Sequence, residues 1–419
     1  MAARNPFPIA LHSALLLPAV LLGWPGHSAA QETHIPQTAL SLCPALTVVS
    51  RETVPPGTGI AVSPDGRRMV EYVHTTRGAE LKLHERDTGI GRRVLLEPAP
   101  LPPGITWRIE EAVFSPLGNL LALRSIGAVW VLDAASGEVR YHIAGDAQKQ
   151  TYPGKLSLTE ERLAVSFWPP ESYLADALTK QPVEVRFYEA TTGKHLEPLS
   201  LVLESSNQWT QFALSPDGLW LAVLRRATRW PGKARLRLVN AANGKPVWER
   251  KVGAEDLAWM SSGRELLVLG GRLSWLDANS GKTLREAEKH FHFSELQLLR
   301  ENEAANLAVG RLARYHPLRR GLFLSDREET RIVIWRLDSG KAVCELGPKP
   351  SEGADVWPTA RGELIALEEQ YDVKPPLKLL RGALLVTYKL GQREGAEASA
   401  PKTQPKASPA SPTSSAPRP

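Results

Sequence analysis

Two arginine-rich stretches carry the side chains best suited to chemistry. Arg225, Arg226, Arg229 and Trp230 form one, and Arg311, Arg314, Tyr315, His316, Arg319 and Arg320 form the other. A guanidinium presents a planar fork of donors that matches a carboxylate or phosphate, and an aromatic neighbour can stack on it. The same mixture marks the anchor residues of protein interfaces. The competing explanation is a solvated charged face that keeps long connections soluble. Pro169 to Gln181 and Glu369 to Pro376 add acids and tyrosines, among them Glu171, Tyr173, Asp176, Tyr371 and Asp372.

Patterns for catalysis are incomplete. Gly281-Lys282-Thr283 ends like a phosphate-binding loop, but Leu276 stands where its first glycine is required. Gly89-Ile90-Gly91 lacks the third glycine of a dinucleotide site, since Val94 occupies that position. No Gly-x-Ser-x-Gly, His-Glu-x-x-His or calcium-loop spacing occurs. His290 and His292 could face one side of an extended segment, yet two ligands without a nearby third do not make a metal site. The sequence therefore points to no metal, no cofactor and no catalytic set.

The elements that must position the arginines are short strands. Gln211 to Val252 holds a complete unit: an apolar segment, the turn Ser215-Pro216-Asp217-Gly218, the run Leu221-Ala222-Val223-Leu224, the alternating Arg235-Leu236-Arg237-Leu238-Val239, and a turn into Lys245-Pro246-Val247-Trp248. Four strands in this span are the size of one propeller blade. The first turn recurs as Ser63-Pro64-Asp65-Gly66 and Ser115-Pro116-Leu117-Gly118, and in worn form as Ser261-Ser262-Gly263 and Thr359-Ala360-Arg361-Gly362. Proline presets φ there and glycine accepts a positive one. The second turn recurs at Thr88-Gly89, Ser136-Gly137, Thr192-Gly193, Asn243-Gly244, Ser280-Gly281 and Ser339-Gly340.

Counted this way the chain has seven blades, at 58–98, 111–145, 155–203, 210–252, 255–289, 295–347 and 353–391. The seventh lacks an outer strand. Leu46-Thr47-Val48-Val49-Ser50 is a strand with nowhere else to go, so it is expected to fill that vacancy and spare the ring two open edges. Trp130, Trp220, Trp248, Trp275 and Trp335 fall on blade strands, as packing residues. In such blades the connection from second to third strand leaves on the same face as the link to the next blade. All four long insertions occupy that connection, which makes the face a candidate binding rim.

The fold class is thus all-β, a seven-bladed β-propeller over 31–392 closed by an N-terminal strand. An Ala/Pro/Ser-rich tail at 393–419 has no apolar material for a core and reads as disordered. Residues 1–30 read as a signal peptide: Arg4, an apolar run from Ala14 to Trp24 too short to span a bilayer, and small residues at Ser28-Ala29-Ala30. The protein is expected to be exported, periplasmic or secreted, without stable membrane insertion. Its two cysteines, Cys43 and Cys344, are then expected to form a disulfide across adjacent blade rims. The net charge of +6 falls to +3 without Arg4 and the tail's excess of two cations, which argues against a nucleic-acid partner.

The six turns preceded by Leu-Asp, Tyr-Glu or Trp-Arg resemble a degraded WD40 repeat. Ser-Pro-Asp-Gly followed by Leu-Ala is similar to bacterial WD40-like and TolB-like propellers, and Asn240 to Trp248 resembles the blade signature of quinoprotein-like propellers. The resemblance implies the fold and leaves the activity open, because such families include scaffolds, carriers and enzymes. The reading is a non-enzymatic binding module that holds a protein or an anionic ligand on the long-loop face. The alternative is a propeller enzyme, a lactonase-like metal hydrolase or a quinoprotein-like dehydrogenase, whose axial acids would come from Glu110, Glu111, Asp256, Glu295 and Asp355 at the blade starts.

Overall fold

A computed structural model describes residues 46–75, 77–98, 107–146, 151–168, 182–204, 210–225, 234–270, 272–287, 295–315, 327–346, 354–374 and 377–390. Residues 1–30, Cys43 and 393–419 lie outside this set. The described residues form strands and turns only.

Strand β1 is Leu46–Val54. Blade one then holds β2 (Gly59–Val62), β3 (Arg68–Thr75), β4 (Gly78–Glu85) and β5 (Ile90–Leu96); blade two holds β6 (Ile109–Phe114), β7 (Leu120–Ser125), β8 (Ala128–Asp133) and β9 (Val139–Ala144). Blade three is β10 (Tyr152–Leu158), β11 (Arg162–Trp168), β12 (Pro182–Glu189) and β13 (His195–Glu204), and blade four β14 (Thr210–Leu214), β15 (Trp220–Arg225), β16 (Ala234–Asn240) and β17 (Pro246–Val252). Blade five is β18 (Ala254–Trp259), β19 (Glu265–Gly270), β20 (Leu273–Asp277) and β21 (Thr283–Glu286). Blade six comprises β22 (Glu295–Asn302), β23 (Leu307–Tyr315), β24 (Arg327–Arg336) and β25 (Ala342–Leu346), followed by β26 (Ala354–Pro358), β27 (Glu363–Lys374) and β28 (Leu377–Leu390).

Each sheet has four strands, and the last is ordered β1-β28-β27-β26. The expected closure is present: Leu46 pairs with Leu390 and Val54 with Ala383 in an antiparallel ladder. The first strands of consecutive blades touch each other, from β2 and β6 round to β22 and β26, so they form the inner wall.

Turn chemistry explains the blade period. Ser63 Oγ hydrogen-bonds Asp65 Oδ1 at 2.5 Å and accepts from the Arg68 amide at 2.8 Å, while Gly66 takes φ 72°. Ser215, Asp217 and Gly218 repeat the arrangement. In the second turn Asp133 accepts from the amides of Ala135 and Ser136, and the Gly137 amide reaches the Asp133 carbonyl at 2.8 Å. Arg140 beside it holds the Asp133 carboxyl down at about 2. The glycine of this turn meets two demands. A Cβ on Gly193 would lie 2.4 Å from the Tyr141 ring of the preceding blade, and φ there is +73°. Tyr141 Oη donates to Ala190 O at 2.8 Å across the same seam.

Apolar burial lies between sheets. Seven clusters each join consecutive blades, the last combining Val54, Ile60 and Met69 with Trp357, Ile365 and Leu385. Trp130, Trp275 and Trp335 are buried in them, and Trp220 and Trp248 pack against one. Arginines pin neighbouring turns: Arg68 Nη1 donates to Gly118 O at 2.8 Å and Arg162 Nη1 to Gly218 O at 3.0 Å. At the closure Arg361 grips Asp87 through two 2.6 Å bonds and Arg86 meets Glu363 at 2.9 Å. Cys344 is buried beside Leu46.

Candidate functional site

Charged side chains gather where the inner strands begin, the end from which the second-to-third connections also leave. Beta-bulges aim them. In β6 the register slips between Ile109 and Glu111, in β18 between Ala254 and Asp256, and in β22 between Leu296 and Leu298. A bulge adds a residue to one strand, so neighbouring side chains leave the strict in-and-out alternation. Glu110 and Glu111 consequently reach the same arginine. Arg124 Nη1 meets Glu110 Oε2 at 2.6 Å and Arg124 Nε meets Glu111 Oε2 at 2.9 Å. Arg124 is 6% exposed, and the two carboxylates hold its charge more firmly than solvent would, despite burial.

Tyr72 projects from β3 across β2. Its partner in the ladder is Gly59, and a Cβ there would lie 2.1 Å from the phenol ring. Glycine is what opens this space. Burial first, then the nearby Asp355 charge, push the Tyr72 hydroxyl up to about 12, so it is a neutral phenol. Glu111 and Arg124 act on it from one side, Asp355 and Arg300 from the other. An aromatic row continues outward, with ring centroids 6.0 Å apart for Tyr72 and His74, 6.2 Å for His74 and Trp107, and 5.8 Å for Trp107 and Trp130. Burial and then the Arg108 charge hold the His74 imidazole below its ordinary range.

On the far side stand Arg300, Arg311 and Asp355. The Arg300 guanidinium lies 4.0 Å above the Trp357 ring and donates from Nη1 to Val356 O at 2.9 Å. Asp355 Oδ1 is 4.0 Å from Arg300 and 3.9 Å from Arg311, too far for a hydrogen bond. Burial is the largest influence on Arg300 and lowers its pKa, yet a quarter of its side chain remains accessible.

The expected rim is placed differently from its description as loops. Arg225 ends β15, and Arg311 is a strand residue whose guanidinium faces Asp355 at the axial end. Arg314 and Tyr315 belong to β23, where they pair with Glu329 and Arg327. Arg226, Arg229, Trp230, Arg319 and Arg320 lie outside the described residues, as do His290, His292 and Pro169 to Gln181. Glu369 to Lys374 continue β27 as a two-stranded ribbon that runs past β26, whose pairing stops at Glu368. Of the axial acids, Glu111 and Asp355 act on Tyr72, Glu110 shares Arg124 with Glu111, and Asp256 acts on Arg300. Arg124, Arg300 and Tyr72 went unnoticed in the sequence. A charged residue ending the apolar run Leu120-Leu121-Ala122-Leu123 was the available signal for the first. Among the described residues, no three His, Cys, Asp or Glu side chains are grouped to hold a metal.

No protein-family model and no curated protein matches the chain. Solved structures do. A chain of the mitotic checkpoint complex aligns with TM-score 0.53 and 14% identity, covering 90% of this chain and 100% of that one. An oligogalacturonate lyase in complex with manganese aligns with TM-score 0.50 and 13% identity, covering 82% and 97%. The Dos1 propeller aligns with TM-score 0.47 and 12% identity, covering 85% and 97%. Identities this low speak for architecture alone, and on that ground the chain is a seven-bladed β-propeller.

Proposed function

We propose that this propeller is a non-enzymatic binding module that presents the long-connection face to a protein partner or an anionic ligand. One observation carries the reading: side chains from blades one, two, six and seven converge around Tyr72 at that face. The structural neighbour from the mitotic checkpoint complex is part of an assembly, which supports a protein partner. The proposal includes export to the periplasm or beyond, and a Cys43–Cys344 disulfide. Leu46, shortly after Cys43 in the chain, packs in the cluster that holds Cys344, which supports the pairing.

The lyase neighbour supports a second reading, a metal-dependent propeller enzyme. A stoichiometric divalent ion in the purified protein favours that alternative. The test of the binding reading is an amine-labelling footprint after affinity capture. Lys194, Lys245, Lys282 and Lys341 follow the turns of the opposite face, while Lys374 and Lys378 lie on the projecting ribbon. Protection of the ribbon lysines alone is expected. Protection of the four turn lysines, with the ribbon still labelled, overturns the reading.

A further inference from the structure

Arg300 differs from Arg124, Arg68 and Arg162 in how its donors are used. Arg124 spends its fork on two carboxylates at hydrogen-bond distance. Arg68 and Arg162 spend theirs on turn carbonyls of the next blade. Arg300 makes one hydrogen bond among the described residues, to the Val356 carbonyl, and its plane is fixed by Trp357 beneath it. Its acidic neighbour, Asp355, is 44% exposed and stops at 4.0 Å. The guanidinium is therefore oriented by groups that leave most of its donors unengaged. Stacking costs it none of the N–H groups in its plane.

We propose that Arg300, with Arg311 and the Tyr72 hydroxyl, forms an oxyanion-binding site at the axial end of the ring, taking the carboxylate or phosphate group of a small molecule. This deepens the anionic-ligand reading above and rests on it. The Asp355 carboxylate stands 4.0 Å from Arg300 and 3.9 Å from Arg311, beyond hydrogen-bond distance of both, and Asp256 acts on Arg300 as well. A planar anion entering between the two guanidiniums accepts paired N–H bonds from Arg300, the geometry that guanidinium groups favour. Asp355 is displaced toward solvent, which it already meets. Tyr72, kept as a neutral phenol in the space that Gly59 leaves, donates its hydroxyl to the same anion. The low-dielectric surroundings of Arg300 strengthen the attraction relative to a surface arginine.

The test is calorimetric titration of the full chain with succinate, inorganic phosphate and neutral succinamide. Succinate or phosphate is expected to bind and succinamide to fail, and whichever anion binds identifies the source. Arg300→Gln is expected to weaken that binding by about tenfold or more, with an ordinary far-UV spectrum. No binding of either anion, or equal binding by Arg300→Gln, overturns the proposal. Arginine modification of the unaltered protein by phenylglyoxal gives a second measurement that needs no variant. Arg300 is expected to react and to be protected by the bound anion, while Arg124 stays unmodified; an unreactive or unprotected Arg300 overturns the proposal. The lysine footprint reads the face and these experiments read the axis, so the broader reading can stand if the axial site fails.

Discussion

Two arginines at the same end of the ring show opposite solutions to placing a charge inside protein. Arg124 is closed: two glutamates, brought together by a bulge, satisfy it at 2.6 and 2.9 Å. Arg300 is open: one aspartate waits at 4.0 Å, and an indole and a carbonyl fix the orientation instead. A buried charge with its counterions removed is costly, so the closed cluster is tied to stability. The open one gives up part of that stability and leaves most of its donors without a hydrogen-bond partner among the described residues. The difference teaches where to look for binding in a propeller whose polar residues are numerous: at the charge that is oriented without a hydrogen-bonded counterion.

The largest effect should follow from opening the closed cluster. Arg124→Met leaves Glu110 and Glu111 facing each other and should cost about 3–5 kcal/mol in urea denaturation. Adding Glu110→Leu and Glu111→Leu should recover most of the loss; no recovery would mean that packing, and not charge, dominates there. Gly59→Ala comes next. Its Cβ would lie 2.1 Å from the Tyr72 ring that stands between the two clusters. The expected loss is about 1–3 kcal/mol from overpacking, with weakened anion binding in the same titration. Arg300→Met should cost less, about 1–2 kcal/mol, because a stacking contact and one hydrogen bond are lost while Asp355 still meets water. A loss as large as that of Arg124→Met would erase the distinction.

Glu301 sharpens the comparison as a carboxyl on which no arginine acts among the described residues. Burial, with Glu303 second, pushes its pKa up from 4.5 to about 7. Below pH 4.5 both folded and unfolded forms are protonated, and the group contributes nothing to the pH dependence. Between 4.5 and about 7 the folded form binds the extra proton, so stability falls as pH rises through that window. Denaturation midpoints across it should show the slope, and Glu301→Gln should flatten it.

Turn chemistry made the fold readable. Ser-Pro-Asp-Gly and the small-residue glycine turns located the sheets: 210–252 was expected for blade four, and Thr210 to Val252 are its first and last strand residues. The closing strand was readable because an apolar segment had no other sheet to join, and β1 extends it only from Ser50 to Val54. The site was harder. Glu110 and Glu111 were visible as acids at a blade start, but a bulge has no fixed residue signature, so their shared target was hidden. Arg311 reads as a loop residue in the sequence because it opens a charged insertion, whereas it lies within β23. A hairpin that runs past its neighbours has no sheet on either side to impose alternating polarity, so its sequence resembles a loop. Gly59 carried the only local hint of Tyr72, and the meaning of a missing side chain depends on what crosses it.

The β1–β28 ladder also sets how the ring yields to force. Leu46 lies opposite Leu390, so the two strands leave the sheet at the same end. Tension between these residues loads the cross-strand bonds one at a time, in the manner of a zipper, and does not load the ladder in parallel. The seam that completes the ring is therefore the one that a pull on its own ends opens first.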